Sequence, residues 1–446
     1  MEFSLWQLVT DLGIVSILLM IGVIVRAKLK FVQQLFIPSS IIAGLIGLVL
    51  GPGGFNVLPF SDQIGSYPEV LIAVVFAALP LLSPKFTLKE LVSRVGSMFA
   101  YSSILYSLMW ALSLIFAYII IRPIWPDMNP GIGIIMAAGF GGHGTAAVIG
   151  ETFAQSGWED AMTLGMTSAT IGLISSIVIG MYFIKRGSQK GEASFLGSYK
   201  DIPDEMKTGL IPEEKREASV TETVSTVSID PFVLQFALVI AITLGGYYVS
   251  NLVALLINSS AIPAFSMAFI VGIIVNRILL LTKTDKYFKE QTLDRISGSA
   301  TDILVVFGIA SIQIQVVVEY IWPLVLLFLF GIAYHWFFFK VLAKRFYKKY
   351  WFEKGLFSWG WGVGSVAMGI ALLRIVDPRS KSRTLDDYGM AYLPQAPIEV
   401  LIITFAPIMI IQGQSWLFIA LVIAGCALIY VIARKSNLLN TKKMPS

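Results

Sequence analysis

The chain is poor in charge, in histidine and in cysteine, and each shortage excludes something. Asp, Glu, Lys and Arg make up 14% of the 446 residues, against roughly 25% in a soluble domain. With 56% hydrophobic residues and a mean hydropathy of +0.77, the composition is that of an integral membrane protein. The single cysteine, Cys426, rules out an intrachain disulfide. The two histidines, His143 and His335, stand far apart in sequence and offer no metal-ligand spacing. His143 has no evident nucleophile partner, and neither an HExxH motif nor two acids at one depth appears. The chain is therefore expected to be no enzyme and to need no cofactor. A net charge of +5 does not imply nucleic acid, because the cations sit between apolar runs.

Those runs are ~20 residues long, the length of membrane helices and twice that of barrel strands. The expected fold is all-α, with spans near 5–25, 35–51, 67–83, 97–121, 160–184, 230–257, 262–280, 299–317, 321–341, 393–412 and 415–433. The first run is too long for the core of a signal peptide and has no Lys or Arg before it. Two apolar segments, about 130–155 and 356–376, are interrupted by glycine. The first carries Gly141-Gly142-His143-Gly144-Thr145-Ala146, and the second a degenerate copy, Gly362-Val363-Gly364-Ser365-Val366-Ala367. Lipid cannot satisfy freed N–H and C=O groups, so such backbone must be buried in protein or line a cavity. Each segment reads as a re-entrant hairpin.

Charge tests this reading. With the N-terminus outside, about 11 spans and two hairpins place cations in cytoplasmic segments, as the positive-inside rule requires. Of the 33 Lys and Arg residues, Arg122 alone then falls outside. Converting one hairpin into a full span would flip every later loop and destroy the asymmetry. The C-terminus comes out cytoplasmic and the two halves antiparallel, each with five spans and one hairpin. The halves run over 1–185 and 229–413, joined by a polar cytoplasmic linker at 186–228 that reads as flexible. Residues 414–446 add an unpartnered transmembrane helix and a tail. Sequence echoes agree with an inverted-topology repeat: Pro38–Gly51 matches Pro263–Asn276, with Pro38/Pro263, Ala43/Ala268 and Gly47/Gly272 in register. Val74-Val75-Phe76 likewise matches Val305-Val306-Phe307. Paired interruptions in two halves point to the binding site of a secondary transporter.

The N–H groups of Gly141, Gly142 and Gly144 can hold a carboxylate, as helix N-termini and glycine nests do. No Lys or Arg within a span competes for that task, although the glycines equally suit tight helix packing. Gly362, Gly364 and Ser365 are the corresponding candidates in the second hairpin. His143 either hydrogen-bonds substrate or props the hairpin. Sodium takes hard oxygen ligands, for which Thr145, Thr167, Ser168, Thr170, Ser311 and Ser365 are candidates. Thr167 and Ser168 suit bonding to the i−4 carbonyl just as well. Asp302 and Glu399, each near the expected cytoplasmic end of a span, are candidates for cation coupling or for interfacial salt bridges. Trp351, Trp359 and Trp361 are assigned to the aromatic belt, an aromatic wall over substrate being the second reading.

The chain resembles the sodium/glutamate symporters over roughly residues 1–413. The resemblance is carried by Gly-Gly-His-Gly-Thr-Ala at 141–146, Thr170-Ile171-Gly172-Leu173, Ile202-Pro203-Asp204-Glu205 and Gly360-Trp361-Gly362-Val363-Gly364. It implies Na⁺-driven uptake of glutamate or a similar small carboxylate across the cell membrane, by a homodimer with two re-entrant hairpins. Two departures stand out. Where the family typically continues with an Ala-Thr-Pro-Thr-type stretch, this chain reads Ser365-Val366-Ala367-Met368-Gly369, and the helix at 415–433 is extra. A hydroxycarboxylate symporter and an H⁺-coupled organic anion transporter remain as alternatives. A channel fits less well, since it would build its filter from an oligomer.

Overall fold

The computed structural model describes residues 4–34, 37–82, 88–195, 204–215, 223–256, 264–377 and 380–439. Ile202, Pro203 and Pro263 lie outside the described residues, as do the span edges at 35–36, 83, 257 and 262–263. Among the described residues there is no strand.

The first half contains α1 (Leu5–Lys28), α2 (Ser39–Leu50), α3 (Tyr67–Ala78), α4 (Leu88–Phe116), α5 (Ile132–Phe140), α6 (His143–Ala154) and α7 (Ala161–Gln189). The second contains α8 (Pro231–Leu256), α9 (Ala264–Thr282), α10 (Glu290–Ala310), α11 (Ile321–Phe337), α12 (Trp351–Val363), α13 (Val366–Val376) and α14 (Thr384–Ile411). The appended helix is α15 (Ser415–Lys435). Among the described residues, eight helices are long and apolar enough to cross a membrane. The hairpin arms are not: α5, α6, α12 and α13 have 9, 12, 13 and 11 residues. At 1.5 Å per residue none exceeds ~20 Å, short of the ~30 Å hydrocarbon layer. The arms of each pair pack on one another, so both glycine segments are helical hairpins.

Two expected spans lie in helices that begin earlier in the chain. The span set at 299–317 belongs to α10, which begins at Glu290 and ends before a turn at Ser311. Its first turns carry Glu290, Asp294 and Arg295, which mask the helix from hydropathy. The span set at 393–412 belongs to α14, which already begins at Thr384, behind Asp386 and Asp387 in its first turn.

The helices fall into two packed groups. In one, α2 and α3 pack on α10, α9 packs on α3, α1 on α2, and α8 on α9. In the other, α4 carries α5, α14 and α15, and α7 carries both hairpins. Close approaches at glycine recur across the halves. A Cβ on Gly22 of α1 would meet Ser39 O of α2 first and Ala43 N at 3.4 Å, and one on Gly246 of α8 would meet Ala268 N of α9. Gly47 of α2 abuts Ala310 of α10, while Gly272 of α9 abuts Ala77 and Pro80 at the end of α3. Both α4 and α11 run into a π-helical turn just before a hairpin, at Ala117–Ile121 and Phe338–Leu342.

The polar linker is docked where it is described. Lys340 and Lys344 pair with Glu192 at 3.0 and 3.4 Å. Ser194 donates its backbone N–H to buried Glu353 at the base of the second hairpin. The Thr223 hydroxyl donates to the Tyr287 carbonyl at 2.8 Å.

Candidate functional site

The first hairpin turns at Gly142, whose φ of 105° and ψ of 169° place it in a region open essentially to glycine alone. Its N–H donates to Gly139 O, and α6 starts at once with His143. The first-turn N–H groups of α6 have no acceptor within their own helix. The second hairpin turns at Gly364 and Ser365, and the Ser365 hydroxyl caps α13 by accepting from Met368 N–H at 3.4 Å. A Cβ built on Gly142 would stand 3.5 Å from Gly364 O. The two tips therefore touch, and two helix N-termini converge there.

The second tip is seated on α7. A Cβ on Gly172 would fall 2.5 Å from Val363 O, and one on Gly364 would fall 2.6 Å from Ser176 Oγ. Trp359 Nε1–H donates to Ser176 O at 2.9 Å. The aromatic-belt assignment therefore fails for Trp359 and Trp361, both of which are buried. The helix α12 is buried on nearly all sides, which composition cannot reveal.

Beside the tips lies a cavity of about 40 Å³. Gly141 and Thr145 of the first hairpin line it, with Trp361 and Gly362 of the second. Tyr106 and Trp110 of α4, His335 of α11 and Glu399 of α14 complete its polar and aromatic wall. Glu399 lies a few residues inside the apolar stretch Pro394–Ile411, as expected of a span end. With α14 starting at Thr384, it stands near the helix middle. Gln395 Nε2 donates to Glu399 Oε1 at 2.6 Å, and the Tyr392 hydroxyl donates to Oε2 at 3.3 Å. Ser102 of α4 reaches Gln395 Oε1 at 2.5 Å. Tyr106 faces Thr145 and Trp110, yet its hydroxyl makes no hydrogen bond with any described residue.

Other candidates lie elsewhere. His143 is buried and pairs through Nε2 with Thr170 Oγ1 at 3.2 Å, fastening the first hairpin to α7. Thr167, Ser168 and Thr170 donate to the carbonyls of Thr163, Leu164 and Met166, and Ser311 donates to Gly308 O. None of these four lines the cavity, nor does Asp302, exposed on α10. Gly144 approaches Ile72 of α3.

Sequence reasoning missed Tyr106, Trp110, His335, Tyr392 and Gln395. A signal existed for part of the set. Tyr388, Tyr392, Gln395 and Glu399 recur at helical spacing, a polar stripe along one face of α14.

The arrangement defines a multi-pass membrane protein whose two glycine-tipped hairpins meet beside a small cavity lined by both polar and apolar residues. More particularly, the chain belongs to the sodium/glutamate symporter family, whose model matches residues 5–373. This is a family of membrane transporters. The match ends within α13, so α14 and its Glu399 lie beyond it. The comparison with curated proteins finds no match.

Proposed function

We propose that the protein is a sodium-coupled symporter of a small carboxylate, glutamate being the solute the family name supplies, and that it works by alternating access at the hairpin tips. The observation that carries this reading is the contact of Gly142 with Gly364. Each tip joins the C-terminal end of one half-helix to the N-terminal start of the next. Half-helix N-termini favour an anionic substrate group, and half-helix carbonyl ends favour Na⁺. One joint can therefore take substrate and coupling ion together. Gly141, Gly142, Gly144 and Thr145 serve the carboxylate, with Gly362, Gly364 and Ser365 opposite. Carbonyls at the ends of α5 and α12 serve Na⁺, and Thr167, Ser168 and Thr170 brace the bed beneath them.

An inverted repeat is part of the reading. The recurrence of Gly22–Ala43 in Gly246–Ala268, and the two π-helical turns before the hairpins, support it. One hairpin then opens outward and the other inward, with the α4–α7 group moving against the α3–α10 group. A cavity of about 40 Å³ holds only a few waters, which fits a closed stage of that cycle. A homodimer in the cell membrane is proposed on the family resemblance.

The test is uptake into proteoliposomes, crossing a carboxylate panel with imposed Na⁺ and pH gradients. Na⁺-dependent accumulation of a carboxylate supports the reading. Accumulation driven by pH alone points to an H⁺-coupled organic anion transporter.

A further inference from the structure

We propose that the groove between the linker-side ends of α7 and α11 binds an anionic phospholipid: its cations hold the phosphodiester, and Tyr182 and Trp336 seat the glycerol and the upper acyl chains beneath. The proposal needs only that these helices span a membrane, so it stands or falls independently of the solute carried.

The groove measures about 460 Å³, and both helices reach it by their C-terminal ends. Two stripes line it. On α7, Tyr182, Arg186 and Lys190 follow at intervals of four. From α11 through the π-helical turn, Trp336, Lys340 and Lys344 repeat that interval. Residues four apart share a helix face. Each stripe therefore passes from an aromatic ring to two cations toward the helix end, the order in which a bilayer passes from its interface to its phosphates.

Deeper in the membrane the same faces are apolar. Ile174 and Val178 precede Tyr182 at intervals of four, and Leu329 stands two turns before Trp336. All three are exposed, as are both aromatic side chains. A surface that is apolar below, aromatic at the rim and cationic above is complementary to an amphiphile with a negative head. A soluble anion would use only its upper third. Basic pockets between membrane helices hold anionic headgroups for this reason.

The charges are out of balance without such a ligand. Among the groove's residues only Glu192 opposes the four cations, and it is taken by Lys340 and Lys344 at 3.0 and 3.4 Å. Among the described residues, neither Arg186 nor Lys190 enters an ion pair. Arg186 Nη1 donates to the Tyr182 hydroxyl at 3.0 Å, which leaves the rest of its fork for a phosphate. Like charges four apart on a helix repel, and a phosphodiester between the stripes offsets both pairs. The same lysines touch the foot of the second hairpin. Lys344 Nζ lies 4.4 Å from the centre of the Trp351 ring, at the start of α12, and Lys340 Nζ lies 5.9 Å from it. A lipid in the groove therefore braces the hairpin at the end opposite its Gly364 tip.

The experiment measures lipid retained by the purified full-length protein in detergent, by mass spectrometry of the intact protein. Phosphatidylglycerol and phosphatidylcholine with the same acyl chains are the probes. Wild type should prefer phosphatidylglycerol by roughly 10-fold or more. The double variant Arg186→Gln, Lys190→Gln should lose roughly 30-fold in affinity for it, about fivefold for each cation near a membrane surface. Lys185→Gln with Arg345→Gln removes the same charge from exposed positions outside the groove and should bind like wild type. Equal retention of the two lipids by wild type overturns the proposal, whatever the variants do. Equal losses in the two double variants reduce the site to diffuse attraction and overturn it too. Displacement of bound phosphatidylglycerol by inorganic phosphate or glycerol 3-phosphate at equal concentration makes the ligand a soluble anion, which overturns it as well.

Discussion

Gly142 and Gly364 lie against one another at the crossing of two hairpins, so close that a Cβ on the first would sit 3.5 Å from the carbonyl oxygen of the second. They are 222 positions apart in the numbering, on opposite sides of the linker. Their meeting turns two local glycine signals into one site. Gly142 also holds φ at 105°, so glycine is required there for conformation and not only for space.

The Gly142→Ala substitution should therefore impair function through backbone strain of about 1–3 kcal/mol. Transport should fall by roughly tenfold or more, with near-normal protein in the membrane. Gly13→Ala, at a helical glycine with nothing within 4 Å, is the matched control and should transport like the parent. Equal activity in both variants would remove Gly142 from the mechanism.

Substrate should shield the tips. In a background where Cys426 is replaced by serine, a cysteine at Thr145 or at Ser365 should react more slowly with a thiol reagent when substrate and Na⁺ are present. Thr145 lines the cavity and Ser365 caps the facing helix. Unchanged reaction at both positions would place the binding site elsewhere.

The charge asymmetry makes a claim about orientation. Cysteines at Asn56 and Gln414 should label from outside with a membrane-impermeant reagent in intact cells, and one at Lys207 should not. Arg122→Gln, just past the π-helical turn that follows α4, should leave substrate binding unchanged, since its guanidinium lies over the Tyr118 ring at 5.9 Å. Labelling at Lys207 would invert the whole topology.

His143 should behave as a brace. Its bond to Thr170 should give a coupling of about 1 kcal/mol in a double-mutant cycle of His143→Ala with Thr170→Val, read as thermal stability in detergent. The affinity of Thr170→Val for substrate should change little. A large affinity loss with no stability coupling would return His143 to the binding site.

Acid should loosen the linker. Burial raises the Glu192 carboxyl, but hydrogen bonds and charge from Lys340 and Lys344 outweigh it and leave the group below its ordinary value. A depressed folded-state value means that Glu192 contributes stability above the unfolded carboxylate pKa, and that this is lost as pH falls through the folded value. Thermal stability should therefore drop between about pH 5 and pH 3, and Glu192→Gln should flatten that part of the profile. Identical profiles for parent and variant would show that the pair is too solvated to matter.

Helices were legible because hydropathy is local. The hairpins at 132–154 and 351–376 were legible too, since glycine on apolar sequence leaves few alternatives in lipid. Where polar residues open a helix, as Glu290 and Asp294 do in α10 or Asp386 and Asp387 in α14, the local signal failed. The early start of α14 leaves Glu399 near the end of the apolar stretch Pro394–Ile411 but near the middle of the helix.

What sequence could not decide was which side chains face one another. Nothing local distinguishes His143, which turns to Thr170, from His335, which turns to Gly362 and the cavity. Thr145 and Thr170 are the same residue type on neighbouring helices, yet only Thr145 lines the cavity. Chain direction, span and break are written in consecutive residues, because each depends on solvent against lipid at one point of the backbone. The cavity is assembled from α4, the first hairpin, α11, the second hairpin and α14. Its chemistry is fixed only when packing sets the rotation of each helix about its own axis.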